Sequence, residues 1–127
     1  FCLETSQKDD FNLLENVAKS IGKKIYHVDS EQRKKLHVAA VFVNNFTNHM
    51  YTIANDICET NKIPFEILYP LIEETAKKIQ SIAPKDAQTC PAKRNDVQTI
   101  QNHLENLNMH QQKIYQLLTK SIQNSIE

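Results

Sequence analysis

Between Lys35 and Asp56 the sequence carries no Asp, Glu, Lys or Arg. This stretch lies inside a segment of helical character that opens behind Asp29-Ser30, a capping pair, and lasts until Pro64. A helix over Glu31–Thr60 is about 45 Å long at ~1.5 Å per residue. A compact domain of this size is only roughly 36 Å across. Such a rod outruns the body it belongs to, and without charges it must be covered on more than one side. It is not a membrane span, because His37, Asn44, Asn45, Asn48, His49 and Asn55 would lie unpaired in lipid. The expectation is cover by a second copy of the chain or by another domain.

The rest of the composition narrows the class. The 127 residues suit one domain. Fifteen basic side chains balance fifteen acidic ones, which removes the basic excess that nucleic acid or an anionic membrane surface would require. With 40% apolar residues the chain is globular. A single Gly and no Trp disfavour a turn-rich β sandwich or barrel. Cys2, Cys58 and Cys90 are too scattered for a disulfide framework or a zinc site, so reduced thiols and a cytoplasmic protein are expected. Phe1-Cys2-Leu3-Glu4-Thr5 has neither an initiator Met nor the features of a signal peptide. The chain is therefore expected to be a piece of something longer.

Along the chain, Phe1–Thr5 reads as a short strand. A helix follows from Ser6, with Phe11, Leu14, Val17, Ala18 and Ile21 at helical spacing and Gly22 as its end. Lys24–Val28 alternates as a strand. Residues 1–29 thus read strand–helix–strand, the edge of an α/β sheet whose remainder lies upstream. Residues 30–127 read as an all-α body: the long helix, a second over Ile63–Ile82 kinked at Pro70, an irregular stretch over Ala83–Asn95, a helix capped by Asn95 or Asp96 up to Leu107, and a last one over His110–Ile126.

Two places suit chemistry. At 100° per residue, His37, Asn44, Asn48 and Asn55 project within about 40° of one another on the long helix. Amides donate and accept, and an imidazole exchanges a proton near neutral pH. The stripe fits either a site that orients a polar ligand or an amide ladder that satisfies a neighbouring element. The second place is Ala87–Asp96, where Lys93 and Arg94 add positive charge to a loop just before a helix start. It fits a carboxylate or phosphate, or is an ordinary connector. No base can be assigned to Cys90, and no metal site is expected. His103 and His110 share a face only if one helix runs through Asn108. There is no Gly-rich phosphate turn, and one glycine is too few for a dinucleotide fingerprint.

Three blocks, Leu36–Phe46, Pro64–Thr75 and Ala87–Asp96, resemble in order the C-terminal domain of unknown function of a little-characterised family of Rossmann-like oxidoreductases. The resemblance spans nearly the whole chain. That family is similar to pyrroline-5-carboxylate reductase, ketopantoate reductase and 6-phosphogluconate dehydrogenase. In those enzymes an N-terminal domain binds NAD(P), and an all-α C-terminal domain dimerises and closes the substrate cleft. Two positions depart from the pattern. Cys90 stands where Gly is common, and Cys takes φ > 0 at greater cost, so the family's loop shape does not carry over to this chain by the resemblance alone. Val41 stands where hydroxyacid-dehydrogenase relatives place a catalytic Lys, taking Asn45 as their Asn.

The resemblance implies a mainly α fold, a 6-phosphogluconate dehydrogenase C-terminal-like helical domain behind a strand–helix–strand remnant. It implies a homodimer, a small-molecule substrate, and NADP or NAD bound mainly by an upstream domain. His37 is the expected proton donor, with Asn44 and Asn48 orienting the substrate and Thr89 and Arg94 anchoring an anionic group. No residues of this chain are assigned to the cofactor. The alternative is a non-enzymatic helical dimerisation or sensory module, which Val41 and Cys90 favour.

Overall fold

A computed structural model describes residues 2–5, 8–22 and 24–125, which form two compact units, Phe1–Met50 and Tyr51–Glu127. In the first, β1 (Cys2–Leu3) and β2 (Tyr26–His27) pair in parallel, Cys2 beside Tyr26 and Leu3 beside His27. Parallel neighbours need a crossover, and α1 (Lys8–Ile21) supplies it. The Gly22 N–H closes the helix on the Ala18 carbonyl at 2.8 Å. Ala18 is buried, and the Phe11 ring stacks on His27 with centroids 4.4 Å apart. The expected strand–helix–strand is present with shorter strands; its cap at Ser6 lies outside the described residues.

The chain then enters α2 (Ser30–Ala40). Asp29 Oδ1 accepts the Gln32 N–H at 2.7 Å, and Gln32 Oε1 accepts the Asp29 N–H at 3.0 Å, so two end donors are satisfied reciprocally. Glu4 fastens this start to the end of β1. It accepts from Ser30 Oγ at 2.7 Å and from Arg33 Nη2 at 2.9 Å. Helical structure continues to Thr60, as the lack of charges and breakers implies, but it is not uniform. Val41–Phe46 is a π turn, and α3 (Thr47–Thr60) follows it. The Thr47 hydroxyl donates to the Phe42 carbonyl five residues back at 3.1 Å, within the widened turn.

In the second unit α3 ends by design of its last turn. Lys62 takes φ 57°, the Ile63 N–H reaches the Cys58 carbonyl at 2.9 Å, and the Lys62 N–H reaches Glu59 at 3.1 Å. These are the two bonds of a left-handed helix stop, with Pro64 just beyond it. The single helix expected over Ile63–Ile82 is instead a 3₁₀ turn, Phe65–Leu68, followed by α4 (Tyr69–Lys78). Pro70 does not kink a helix interior. It sits in the first turn of α4, where its missing N–H has no partner to lose. The stretch expected to be irregular contains one helical turn, α5 (Pro84–Ala87).

α6 (Val97–Glu105) starts at Asp96, whose carboxylate accepts the Thr99 N–H at 3.1 Å and the Thr99 hydroxyl at 2.8 Å. α7 (Met109–Asn124) starts behind Asn108, which forms a second capping box with Gln111. Gln112 Nε2 joins α7 to the end of α6, donating to the Leu104 and Leu107 carbonyls at 2.8 and 2.9 Å. Cys58 and Ala92 are the buried apolar residues of this unit. Mainly α, with one short parallel strand pair, is the fold class expected.

Candidate functional site

The sequence-derived candidates fall on both units. His37, Asn44 and Asn48 belong to the first; Thr89 and Arg94 belong to the second. His37 sits in the last turn of α2, on the same face as Ser30, Arg33 and Lys34, and with them lines an open depression of about 460 Å³. The cations beside it already have partners: Arg33 holds Glu4, and Lys34 holds Glu31 at 2.6 Å. Asn44 lies within the π turn and Asn48 in the first turn of α3; all three side chains are exposed.

The π turn changes the geometry expected of the stripe. Bonds from i to i+5 place one more residue in a turn, so positions beyond Phe46 slip by on the order of 100° against an uninterrupted α-helix. Asn48 therefore does not share the narrow sector with His37 that the α-helical count assigned, and Asn44 lies between the two. The same turn carries the most exposed apolar side chains of the rod. Phe42 is 63% and Val43 74% exposed, and Phe42 meets Phe46 edge to face at 5.0 Å. Asn55, the last member of the expected stripe, donates to Glu59 at 2.8 Å on its own helix.

The loop before α6 is built by short-range hydrogen bonds. Arg94 N–H reaches the Cys90 carbonyl at 3.3 Å, Asn95 N–H reaches Ala92, and Asp96 N–H reaches Pro91, with Asn95 at φ 52°. Among the described residues only Lys62 and Asn95 combine a side chain with positive φ, so Cys90 occupies the expected Gly position without that strain. Thr89 is exposed, and Arg94 lies 4.0 Å from the Asp96 carboxylate. That carboxylate is held below its usual range, first by the two Thr99 bonds and then by the Arg94 and His103 charges.

Two features of this region rest on contacts that the sequence did not show. Burial pushes the Cys90 thiol up, but the Gln88 amide at 3.0 Å and the backbone N–H groups of Lys93, Ala92 and Cys90 together outweigh it, so the thiol titrates below its ordinary range. Across the α6–α7 turn, His103 Nδ1 lies 2.9 Å from the Tyr115 hydroxyl, the rings meeting edge to face. Burial, and then the charge of Cys90, raise the Tyr115 phenol. The pairing is local to two adjacent helices yet twelve residues apart, beyond any helical period. His110 is separated from His103 by the break at Asn106–Asn108, and no group of three or more His, Cys, Asp or Glu suited to a metal ion occurs among the described residues.

By its sequence the chain offers a dinucleotide no glycine-rich turn. The connection from β1 to α1 reads Glu4-Thr5-Ser6-Gln7, with a carboxylate and no glycine where a pyrophosphate would need close backbone approach. The one glycine, Gly22, closes α1 at its other end. No helix among the described residues is long and apolar enough to cross a membrane.

Comparison with known proteins places these features. The crystal structure of a protein from Bacteroides fragilis described as a "putative NADP oxidoreductase" superposes with a TM-score of 0.90 at 44% identity, over 98% of this chain and 49% of that one. A Thermotoga maritima protein of known crystal structure shares the fold, with a TM-score of 0.80 at 20% identity over 93% of this chain and 49% of its own. The chain thus spans about half the length of the solved structures it matches. No curated protein matches it. Residues 1–122 match the model of the family described as "Domain of unknown function (DUF2520)", and the chain belongs to that family.

Proposed function

We propose that this chain is the helical dimerisation and substrate-cleft domain of an NAD(P)-dependent oxidoreductase that acts on a small molecule in the cytoplasm. The observation that carries the reading is 44% identity, along almost all of this chain, to one half of the protein described as a "putative NADP oxidoreductase". Because the chain's own β1–α1 connection does not suit a pyrophosphate, the nicotinamide cofactor, NADP or NAD, is assigned to a dinucleotide-binding domain upstream in the parent. Residues 1–29 are then the end of that domain's sheet, and residues 30–127 the helical domain.

Hydride transfer to a C=O or C=N bond leaves charge on the heteroatom, so a positioned proton donor lowers the barrier. His37 is proposed for that role, with Asn44 and Asn48 orienting the substrate and Thr89 and Arg94 anchoring its anionic group. The exposed apolar run Leu36, Val38, Phe42, Val43 and Phe46 supports a homodimer, since so much apolar surface on one helix marks an interaction face. Val41, at the position of the relatives' catalytic Lys and inside the π turn, favours the second reading, a dimerisation module without turnover.

Thermal unfolding of the full-length parent with NADPH and with NADH separates the two. A ligand bound only to the folded state at ~100 times its Kd adds about 2.7 kcal/mol. A clear upward shift is expected. A folded parent that shifts with neither nucleotide would remove the oxidoreductase reading, and turnover unchanged in His37→Ala would remove His37 from it.

A further inference from the structure

The depressions along α2 and α4 are each walled by one stretch of helix surface. A smaller cavity, of about 230 Å³, is different. Its walls come from the Pro84–Gln88 segment, from Lys93 across the loop, and from the last turn of α7 at Ile122 and Ser125. Only the tertiary structure of the second unit brings these together, so the cavity has a defined shape rather than being a groove between neighbouring side chains.

Its charge is the second observation. Lys85 and Lys93 line it, and neither forms an ion pair among the described residues, whereas Lys19, Lys34 and Lys77 each hold a carboxylate at 3.1, 2.6 and 2.6 Å. Among the described residues Asp86 is the one carboxylate in the lining, against two lysines. Gln88 gives one amide hydrogen to Cys90 and keeps a second donor. Pro84 and Ile122 add apolar wall, enough for a short carbon body.

We propose that this cavity binds a compact organic oxyanion, a carboxylate or phosphate on a short carbon skeleton, with Lys85 and Lys93 as the charge-matching groups and Gln88 as a further donor. An ammonium group that meets an oxyanion forms charge-assisted hydrogen bonds, about twice as strong as neutral ones. Gln88 and Lys93 belong to the same Ala87–Asp96 loop as the anchor proposed above, but neither Thr89 nor Arg94 lines the cavity, so the site does not depend on the oxidoreductase reading.

The test is a titration of the 127-residue chain with succinate and with inorganic phosphate, each against sodium chloride of equal ionic strength, following backbone amide NMR shifts. Saturable shifts at Lys85, Gln88, Lys93 and Ser125 are expected with at least one probe, and which probe saturates identifies the oxyanion. Replacing both cations (Lys85→Gln with Lys93→Gln) should weaken binding about tenfold or more, while Asp86→Asn should tighten it severalfold by removing the repelling carboxylate. Opposite responses in two variants are not produced by loss of folding. Shifts no larger than those with chloride up to about 50 mM, beyond screening alone, or both variants binding like the original chain, would overturn the site.

Discussion

The π-containing rod and the α6–α7 hairpin handle their polar and apolar groups in opposite ways. Over Leu36–Phe46 the rod presents Leu36, Val38, Phe42, Val43 and Phe46 to solvent, and its side chains contribute little to the body of its own unit. The hairpin binds itself together: Gln112 takes one carbonyl at the end of α6 and one in the turn after it, Asn108 and Asp96 cap the two helices, and His103 meets Tyr115. The hairpin determines its own shape from groups within about thirty residues. The rod is helical by local hydrogen bonding, yet most of its apolar side chains stay half or more exposed among the described residues. A surface of that kind is stable in water only at a cost that association removes.

The largest effect is expected where that difference is attacked directly. Phe42→Asp places a charge at the centre of the exposed apolar run. Because the ring is 63% exposed and touches mainly Phe46, the fold of a single copy should lose no more than about 1 kcal/mol. If the face joins two copies, burying an unpaired carboxylate there should weaken self-association on the order of 100-fold or more. Light scattering across a concentration series reads the outcome. A monomer at all concentrations in the original chain would break the comparison, since the rod would then need no cover.

For the hairpin, the expected losses are in folding and not in association. Gln112→Ala strips a side-chain donor from one carbonyl at the end of α6 and one in the turn after it and should cost about 1–3 kcal/mol. Asn108→Ala removes the acceptor for the His110 and Gln111 N–H groups and one half of the capping box, at about 1 kcal/mol. Both should lower Tm in calorimetry and leave the oligomeric state alone. A change of oligomeric state in either variant would mean that the hairpin, too, takes part in the interface.

The two regions also differed in how far the sequence disclosed them. The rod announced itself as a helix, because an uncharged run with a capping Asp at its start has few alternatives. Its π turn did not, since α and π turns draw on the same residue types, and the angular stripe of His37, Asn44 and Asn48 was counted on the α period alone. Pro70 misled for a related reason: the same residue kinks a helix interior or opens a first turn, and the 3₁₀ turn over Phe65–Leu68 decides which. Asn108 and Gln111 stood at capping-box spacing and were legible in principle. The Tyr115–His103 contact and the donors around Cys90 depend on how loop and helices pack, which no periodicity encodes.

The smallest effect concerns the thiol that this packing creates. Cys90 titrates below its ordinary range in the folded chain, so the folded state releases the proton more readily than the unfolded one. A group of this sign contributes stability that is fully present above the unfolded value, about 8.5 for a free thiol, and that is lost as pH falls through the depressed folded value. Stability of the original chain relative to Cys90→Ser, which does not titrate, should therefore rise between neutral pH and about pH 9. Taking the difference between the two proteins cancels the other groups that begin to titrate in the same window, except Tyr115, whose phenol is raised by burial and then by the Cys90 charge. Gln88→Ala should flatten the rise, because the amide is the strongest of the contacts that hold the thiolate. A difference independent of pH would show that the donors around Cys90 are turned away from the sulfur in solution. The loop would then lack the self-determined geometry that sets it and the hairpin apart from the rod.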